Sequence, residues 1–384
     1  MHCRTGQENQ HSRTSRHDSR LNALRNRLPG RASDQADERL APLTDFGTNP
    51  GDLLAHTYLP RDLPAGAPLV VVLHGCTQSA GGYNRGAGWT SAADENGFAV
   101  LFPEQQRANN PNLCFNWFAP ADTGRGGGEV LSVIQMIEAL CRKHALDPRR
   151  VFVTGLSAGG AMTAALLAAY PEVFAGGAVI AGLPFGTAST VPEAFERMRT
   201  KSPFGADQLA ALVRSASSHA GPWPTLSVWH GNADRTVDAG NAAALVDQWR
   251  GLQGLPAAPS ATEKVAGHLR RVWRDGEGRD VIEEYVITSM GHGTPVHPVA
   301  ANQGEAAGPY MLDAGISSTR RIVAFWKLDG GRKTAATTAA AAASPRVTAA
   351  LPAVSPPRRG PAAPPVNKVQ DVIEKALRSA GLMR

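Results

Sequence analysis

Residues 151–162 read VFVTGLSAGGAM, and this stretch decides the fold. Its first residues are strand formers, whereas the AMTAALLAAY that follows at 161–170 is typical of a helix. Between them Gly155–Gly159 fits the pattern G-x-S-x-G, which places a serine on a sharp turn from a strand into a helix. Glycines suit this turn because a Cβ there would press against neighbouring elements. The alternative interpretation is a glycine-rich turn in which Ser157 only caps the helix.

Apolar runs and helical patterns alternate over the middle of the chain. Strands are predicted at 69–73, 98–102, 151–154, 178–181, 225–229 and 281–287, and helices at 129–144, 158–170, 239–249 and 316–326. This alternation predicts an α/β fold with a mostly parallel sheet that carries helices on both faces. Residues 183–222 form a long insertion of mixed character.

The composition divides the chain into four segments. Residues 1–45 lack aromatic side chains and are predicted to form a flexible N-terminal arm. Residues 46–330 are predicted to form one enzyme-sized domain, and 331–367 an Ala/Pro-rich linker. Apolar residues at helical spacing predict a short amphipathic helix within 368–384. The apolar stripe of that helix needs cover, so it is a candidate for self-association.

The formal net charge of +6 is concentrated at the two ends of the chain. Residues 1–40 contribute +3 and residues 331–384 contribute +7, which leaves −4 for the middle. A mildly acidic body with basic tails argues against a nucleic-acid-binding face. The N-terminus is polar and Arg-rich, without the apolar region of a signal peptide, and no transmembrane run is visible. Either the protein stays in the cytoplasm or the assigned start is wrong.

A serine hydroxyl needs a base and a group that orients the base before it becomes a good nucleophile. The segment TLSVWHGNADRTV, residues 225–237, presents Asp234 just beyond a predicted strand, and YVITSMGHGTPVHP, residues 285–298, presents His292. The carboxyl ends of parallel strands share one edge, so Ser157, Asp234 and His292 are predicted to meet there as a catalytic triad.

Each partner of the serine has a rival nearby in the sequence. Asp238 is the alternative to Asp234, but its position favours a cap for the next helix. His297 is the alternative to His292, but it lies beyond Pro295 in a looser stretch. A third and a fourth histidine, His74 and His230, precede glycines at strand ends and are interpreted as structural.

The reaction also needs N–H donors for the oxyanion that develops on the substrate. One donor usually follows the nucleophile and the other lies in a loop after an early strand. Ala158 occupies the first position. The turn in LVVVLHGCTQSAGG, residues 69–82, makes the backbone N–H of Cys76 the choice for the second.

Four ordered motifs carry a resemblance to a known family. They are HGCTQ at 74–78, CFNWF at 114–118, GLSAGGAM at 155–162 and HGNAD at 230–234. Together they resemble the poly(3-hydroxybutyrate) depolymerase family of esterases, which also contains feruloyl and acetylxylan esterases. The resemblance implies an α/β-hydrolase fold, hydrolysis of polymeric or oligomeric carboxylic esters without cofactor or metal, and secretion.

Two departures from the family pattern bear on the substrate. Many members carry Trp-Ser-Gly-Gly after the histidine, whereas Gly293-Thr294-Pro295-Val296 follows here. Residues 331–384 contain no Phe, Trp or Tyr with which to bind a solid polymer surface. A small or soluble ester is therefore an alternative substrate.

Two of the four cysteines, Cys76 and Cys114, lie in the family motifs. A disulfide between them would draw the oxyanion loop against the segment that carries Trp117 and would argue for export. Two buried thiols are the alternative. Trp117 is then predicted either to form a flat wall of the substrate crevice or to lie in the core.

The sequence therefore predicts a serine esterase. A hydrolase fold kept only for binding, and a serine peptidase with the same triad order, are the two other classes. The complete triad argues against the first, and the absence of a recognisable gating domain argues against the second.

Overall fold

The computed structural model describes residues 37–298 and 304–330. Most of the predicted arm, the whole predicted linker and the predicted C-terminal helix lie outside the described residues. Within them, the fold is built on a central sheet of ten strands, with a small two-stranded sheet beside it.

The strands of the large sheet run in the order β1-β2-β4-β3-β5-β6-β7-β10-β9-β8. Strands from β4 through β10 in this order pair in parallel, and β1, β2, β9 and β8 extend the two edges antiparallel. In chain order the strands are β1 Ala41–Pro42, β2 Leu54–Tyr58, β3 Leu69–Leu73, β4 Ala99–Glu104, β5 Val151–Leu156, β6 Gly176–Ile180, β7 Thr225–Gly231, β8 Ala261–Val265, β9 His268–Arg274, β10 Asp280–Ile287, β11 Thr294–Val296 and β12 Met311–Asp313.

Helices connect the strands. They are α1 Ala80–Ala87, α2 Trp89–Asn96, α3 Pro120–Thr123, α4 Gly128–His144, α5 Ala158–Ala169, α6 Val191–Arg199, α7 Ala206–Arg214, α8 Gly240–Gln253 and α9 Ser318–Phe325. Local caps explain several starts: the hydroxyls of Ser79, Thr190 and Ser317 accept backbone N–H groups at the beginnings of α1, α6 and α9.

Two apolar layers cover the two faces of the sheet, because side chains alternate along each strand. Val71 and Leu73 of β3 belong to one layer, which also contains buried residues of α4, α5 and α8. Val70 and Val72 belong to the other layer, beneath α1, α2 and α9. The structure therefore confirms the predicted α/β fold with a mostly parallel sheet and helices on both faces.

The structure corrects the sequence prediction in two places. Residues 37–45 were assigned to the flexible arm, but β1 pairs with β2, and Leu43 is buried against the core. This short segment carried no periodic signal, because its pairing partner lies elsewhere in the chain. The antiparallel edge strands β2, β8 and β9 were not predicted either. For β8 the reason is that its residues are largely exposed and polar, so it carries no apolar run.

Candidate active site

The turn after β5 is shaped by backbone packing. Ser157 has φ 56° and ψ −117°, outside the allowed regions for most residues, and α5 begins at the next residue. A Cβ on Gly159 would lie 2.4 Å from the carbonyl oxygen of His74, and one on Gly155 would lie 2.4 Å from the backbone of Gly159. The two glycines of the G-x-S-x-G pattern are therefore required by close contacts, and the turn presents the serine hydroxyl above the sheet edge.

The three predicted side chains meet at this edge. His292 Nε2 lies 2.9 Å from the hydroxyl oxygen of Ser157, and His292 Nδ1 lies 2.7 Å from Asp234 Oδ2. Since a carboxylate only accepts, Nδ1 carries the hydrogen and Nε2 faces the serine with its lone pair. This is the arrangement in which an imidazole removes a proton from a serine hydroxyl.

The side chain of Asp234 is fully buried, and its carboxylate is satisfied by hydrogen bonds from the protein. Its Oδ1 accepts the backbone N–H groups of Thr236 and Val237. Burial alone raises the pKa of Asp234, but hydrogen bonds from His230 and His292 outweigh it and hold the pKa below its ordinary value. The group is therefore an anion at neutral pH, available to stabilise an imidazolium at His292.

Residues 232–239, which follow β7, form the acid loop, and residues 288–293, which follow β10, form the histidine loop. Three hydrogen bonds join the acid loop to the end of β10 and to the histidine loop. The Asn232 N–H donates to the Ile287 carbonyl, the Ala233 N–H donates to the Met290 carbonyl, and the Asn232 side chain accepts the Ser289 N–H. Because β7 and β10 are adjacent parallel strands, the two loops leave the sheet side by side. This explains how residues 58 positions apart are held at hydrogen-bond distance.

The rival residues lie elsewhere. Asp238 accepts the Gly240 N–H at the start of α8, as a capping residue does. His297 lies near Asp313, with 3.8 Å between Nδ1 and Oδ1. His74 is buried, its Nδ1 lies 2.8 Å from the Gly75 carbonyl oxygen, and its Nε2 accepts the Gln105 N–H.

Two backbone N–H groups are free to receive an oxyanion. Ala158 is the first residue of α5, so its N–H has no partner within the helix, and the Cys76 N–H has no acceptor within residues 37–298 and 304–330. The neighbouring N–H groups of Gly75 and Thr77 are already used, by Gln78 and by the Asn112 carbonyl.

A disulfide joins Cys76 to Cys114, which confirms the predicted pairing. It attaches the loop after β3 to the segment that carries Trp117. The Trp117 side chain is only 8% exposed and contacts the Phe118 ring edge to face. It lines the cleft and also packs into the core, so both sequence-based interpretations describe part of its position.

A buried carboxyl group, that of Glu129, supports the segment that carries Trp117. Glu129, at the start of α4, accepts the Asn116 N–H on Oε2 and the Gln105 side-chain amide on Oε1. The same amide of Gln105 also donates to the Cys114 carbonyl. Burial and the charge of Asp122 raise the pKa of Glu129 to about 8, and these hydrogen bonds act in the opposite direction.

Ser157 and His292 line a cleft of about 160 Å³, whereas the Asp234 side chain is buried behind His292. Among residues 37–298 and 304–330, no Asp, Glu, Lys or Arg lines it, and helix α6 provides an apolar wall of Val191, Ala194, Phe195 and Met198. Tyr310 lines another side and meets the His292 ring edge to face at 6.2 Å. These residues were not predicted from the sequence, although the helical spacing of the α6 wall was a signal within the insertion at 183–222. Tyr310 carried no local signal.

Within the described residues no group of three or more His, Cys, Asp or Glu side chains is placed to hold a metal ion. In the same part of the chain, no helix is both long and apolar enough to cross a membrane.

Residues 55–272 match the family model described as Esterase PHB depolymerase. The chain belongs to the Esterase PHB depolymerase family. It is 44% identical to poly(3-hydroxyalkanoate) depolymerase C of Paucimonas lemoignei over 297 residues, which are 76% of this chain and 70% of that protein. It is 30% identical to feruloyl esterase B of Talaromyces stipitatus over 265 residues, 67% of this chain and 72% of that one.

A solved structure supports the same assignment. The acetyl xylan esterase from Aspergillus awamori superposes with a TM-score of 0.61 and 26% identity, covering 67% of this chain and 95% of that one. This member of the Esterase PHB depolymerase family is therefore an α/β hydrolase and a serine esterase that hydrolyses carboxylic esters.

Proposed function

We propose that Ser157 is the nucleophile, His292 the general base and Asp234 the residue that orients and stabilises His292. Ser157 attacks the ester carbonyl while its proton passes to His292 Nε2, and the same proton then goes to the departing alcohol. Water repeats the sequence on the acyl-enzyme and releases the acid. The continuous contact from serine to imidazole to carboxylate, 2.9 Å and 2.7 Å, carries this proposal.

The oxyanion of each tetrahedral intermediate is received by the N–H groups of Cys76 and Ala158. Their freedom from other acceptors and the position of Ala158 at a helix N-terminus support this assignment. Trp117 forms a wall of the cleft against the acyl or alcohol part of the substrate, as its place in the lining supports.

The substrate we propose is an ester of a 3-hydroxyalkanoate, polymeric or oligomeric. The 44% identity to a poly(3-hydroxyalkanoate) depolymerase supports it, and so does a cleft lined without Asp, Glu, Lys or Arg, which suits an uncharged aliphatic ester. The alternative is an ester of a plant polysaccharide, which the similarity to feruloyl and acetylxylan esterases supports.

The site of action that we propose is extracellular, because disulfides persist in oxidising compartments, and Cys76–Cys114 is such a bond. A cytoplasmic protein is the alternative. Self-association through residues 368–384 remains a proposal as well, since these residues lie outside those described.

The decisive test replaces Ser157 by Ala and measures hydrolysis of a soluble p-nitrophenyl ester. We expect activity to fall by about 10⁴-fold or more with an unchanged melting temperature. Ser132→Ala is the matched control, because the buried Ser132 hydroxyl binds the Gly51 N–H away from the cleft. Activity of S157A within tenfold of the parent would overturn the nucleophile assignment. Product analysis with poly(3-hydroxybutyrate), a feruloylated sugar and acetylated xylan then separates the substrate classes.

A further inference from the structure

His230 has a contact that its structural interpretation did not anticipate. It is the penultimate residue of β7, directly below the acid loop, and its side chain is 2% exposed. Its Nε2 lies 3.0 Å from the Val237 carbonyl oxygen and 3.3 Å from Asp234 Oδ2. The imidazole thus lies within reach of two residues of the acid loop, Asp234 and Val237.

The surroundings fix the protonation of this ring. The Val237 carbonyl only accepts, so the hydrogen must be on Nε2. The buried Nδ1 has no partner within the described residues. A proton on Nδ1 would create a buried donor without an acceptor, which is costly. The geometry therefore assigns the donating hydrogen of His230 to Nε2.

The same carboxylate oxygen serves both imidazoles. Asp234 Oδ2 accepts from His292 Nδ1 at 2.7 Å and lies 3.3 Å from His230 Nε2. The Val237 peptide takes part twice, because its N–H binds Asp234 Oδ1 and its carbonyl faces His230. The orientation of the carboxylate is thus set on one side by the backbone and on the other by His230.

We propose that His230 is a positioning residue of the esterase, which closes the acid loop and holds Asp234 Oδ2 on His292. This rests on the proposed function, since it assumes that Asp234 and His292 take part in the chemistry. Without the Nε2 hydrogen, Asp234 and the Val237 carbonyl lose a buried donor and the carboxylate is free to turn. Because His230 does not line the cleft, its loss should lower kcat and leave KM unchanged.

The test compares His230→Leu with His230→Gln, whose amide nitrogen reaches close to the position of Nε2. On a soluble p-nitrophenyl ester we expect H230L to lower kcat by about tenfold or more, with KM changed by less than about twofold. We expect H230Q to keep most of the kcat of the parent. Ser132→Ala is the matched control, because it also removes a buried hydrogen bond, to the Gly51 N–H, away from the cleft and from the loops that carry Asp234 and His292. S132A should lower the melting temperature and leave kcat unchanged.

The proposal is overturned if H230L has an unchanged kcat, if folded H230Q is as slow as H230L, or if S132A loses as much kcat as H230L. If H230L yields no folded protein, His230→Asn replaces it, because the shorter amide cannot reach Val237. A normal kcat in H230N then overturns the proposal. Ser157→Ala and His292→Ala in the same assay distinguish a failure of the proposed triad from a failure of the positioning role of His230. If those variants stay active, the proposed triad itself is wrong; if only H230L is active, the positioning role alone fails.

Discussion

The two sides of the cleft are supported by different physics. The Ser157 turn is shaped by close backbone contacts at Gly155 and Gly159, and the Cys76–Cys114 disulfide is not part of it. The side from Cys76 to Trp117 is supported by that disulfide and by the buried Glu129 carboxyl group. Reductant and pH should therefore act on the second side and spare the first, whereas added side-chain volume should act most severely on the first.

The largest effect is expected when a methyl group enters the serine turn. Gly159→Ala places a Cβ 2.4 Å from the His74 oxygen and 2.6 Å from the Leu73 oxygen, and neither backbone group is free to move. We expect a loss that approaches the whole stability of a domain, about 5 to 15 kcal/mol, seen as little or no folded, active protein. Gly276→Ala is the control, since nothing lies within 4 Å of that Cβ. Folded and active G159A would contradict the steric account of this turn.

Reduction of the disulfide should have the next largest effect. Opening a crosslink that spans 38 residues costs about 4 kcal/mol in the chain-entropy model. Loss of the position of the Cys76 N–H should lower kcat by about 10²-fold. Thermal unfolding and ester hydrolysis with and without dithiothreitol, repeated on a Cys76→Ala/Cys114→Ala variant, measure both.

Cys141 is the free cysteine within the described residues and provides the control for reduction. Cys141→Ala should respond to the reductant as the parent does. If the double variant is as active and as stable as the parent, the disulfide does not support the oxyanion loop.

The most gradual effect is a pH dependence of stability that belongs to Glu129. Its pKa in the folded protein is about 8 against an ordinary 4.5, so the folded state holds a proton that the unfolded chain releases. The stability that this group contributes is present below about pH 4.5 and is lost as the pH rises to about 8, with a slope of at most about 1.4 kcal/mol per pH unit. Denaturant unfolding at pH 5, 6.5 and 8 should show a flatter dependence for Glu129→Gln.

Glu138→Gln is the control for this titration, because Glu138 lies on the exposed face of the same helix. Identical pH slopes in the parent and in E129Q would contradict the titration of Glu129 in this range.

Much of the fold and of the candidate site was predictable from local patterns. Runs such as Leu69–Leu73 are strands because five apolar residues in a row suit a sheet buried on both faces. Ser157, Asp234 and His292 each follow a predicted strand, and parallel strands present their carboxyl ends at one edge. Their meeting therefore followed from strand order, whereas their catalytic roles remain predictions.

The sequence by itself determined the strand–turn–helix around Ser157, because strand formers, the G-x-S-x-G pattern and helix formers follow one another directly in the chain. Only the tertiary structure decided what surrounds it. The apolar wall from α6, the approach of Tyr310 and the bonds of Glu129 join segments far apart in the chain, and no local period encodes such pairs. His230 shows the same limit: the motif marked a histidine at a strand end, but the distance to Asp234 exists only once the acid loop has closed over it.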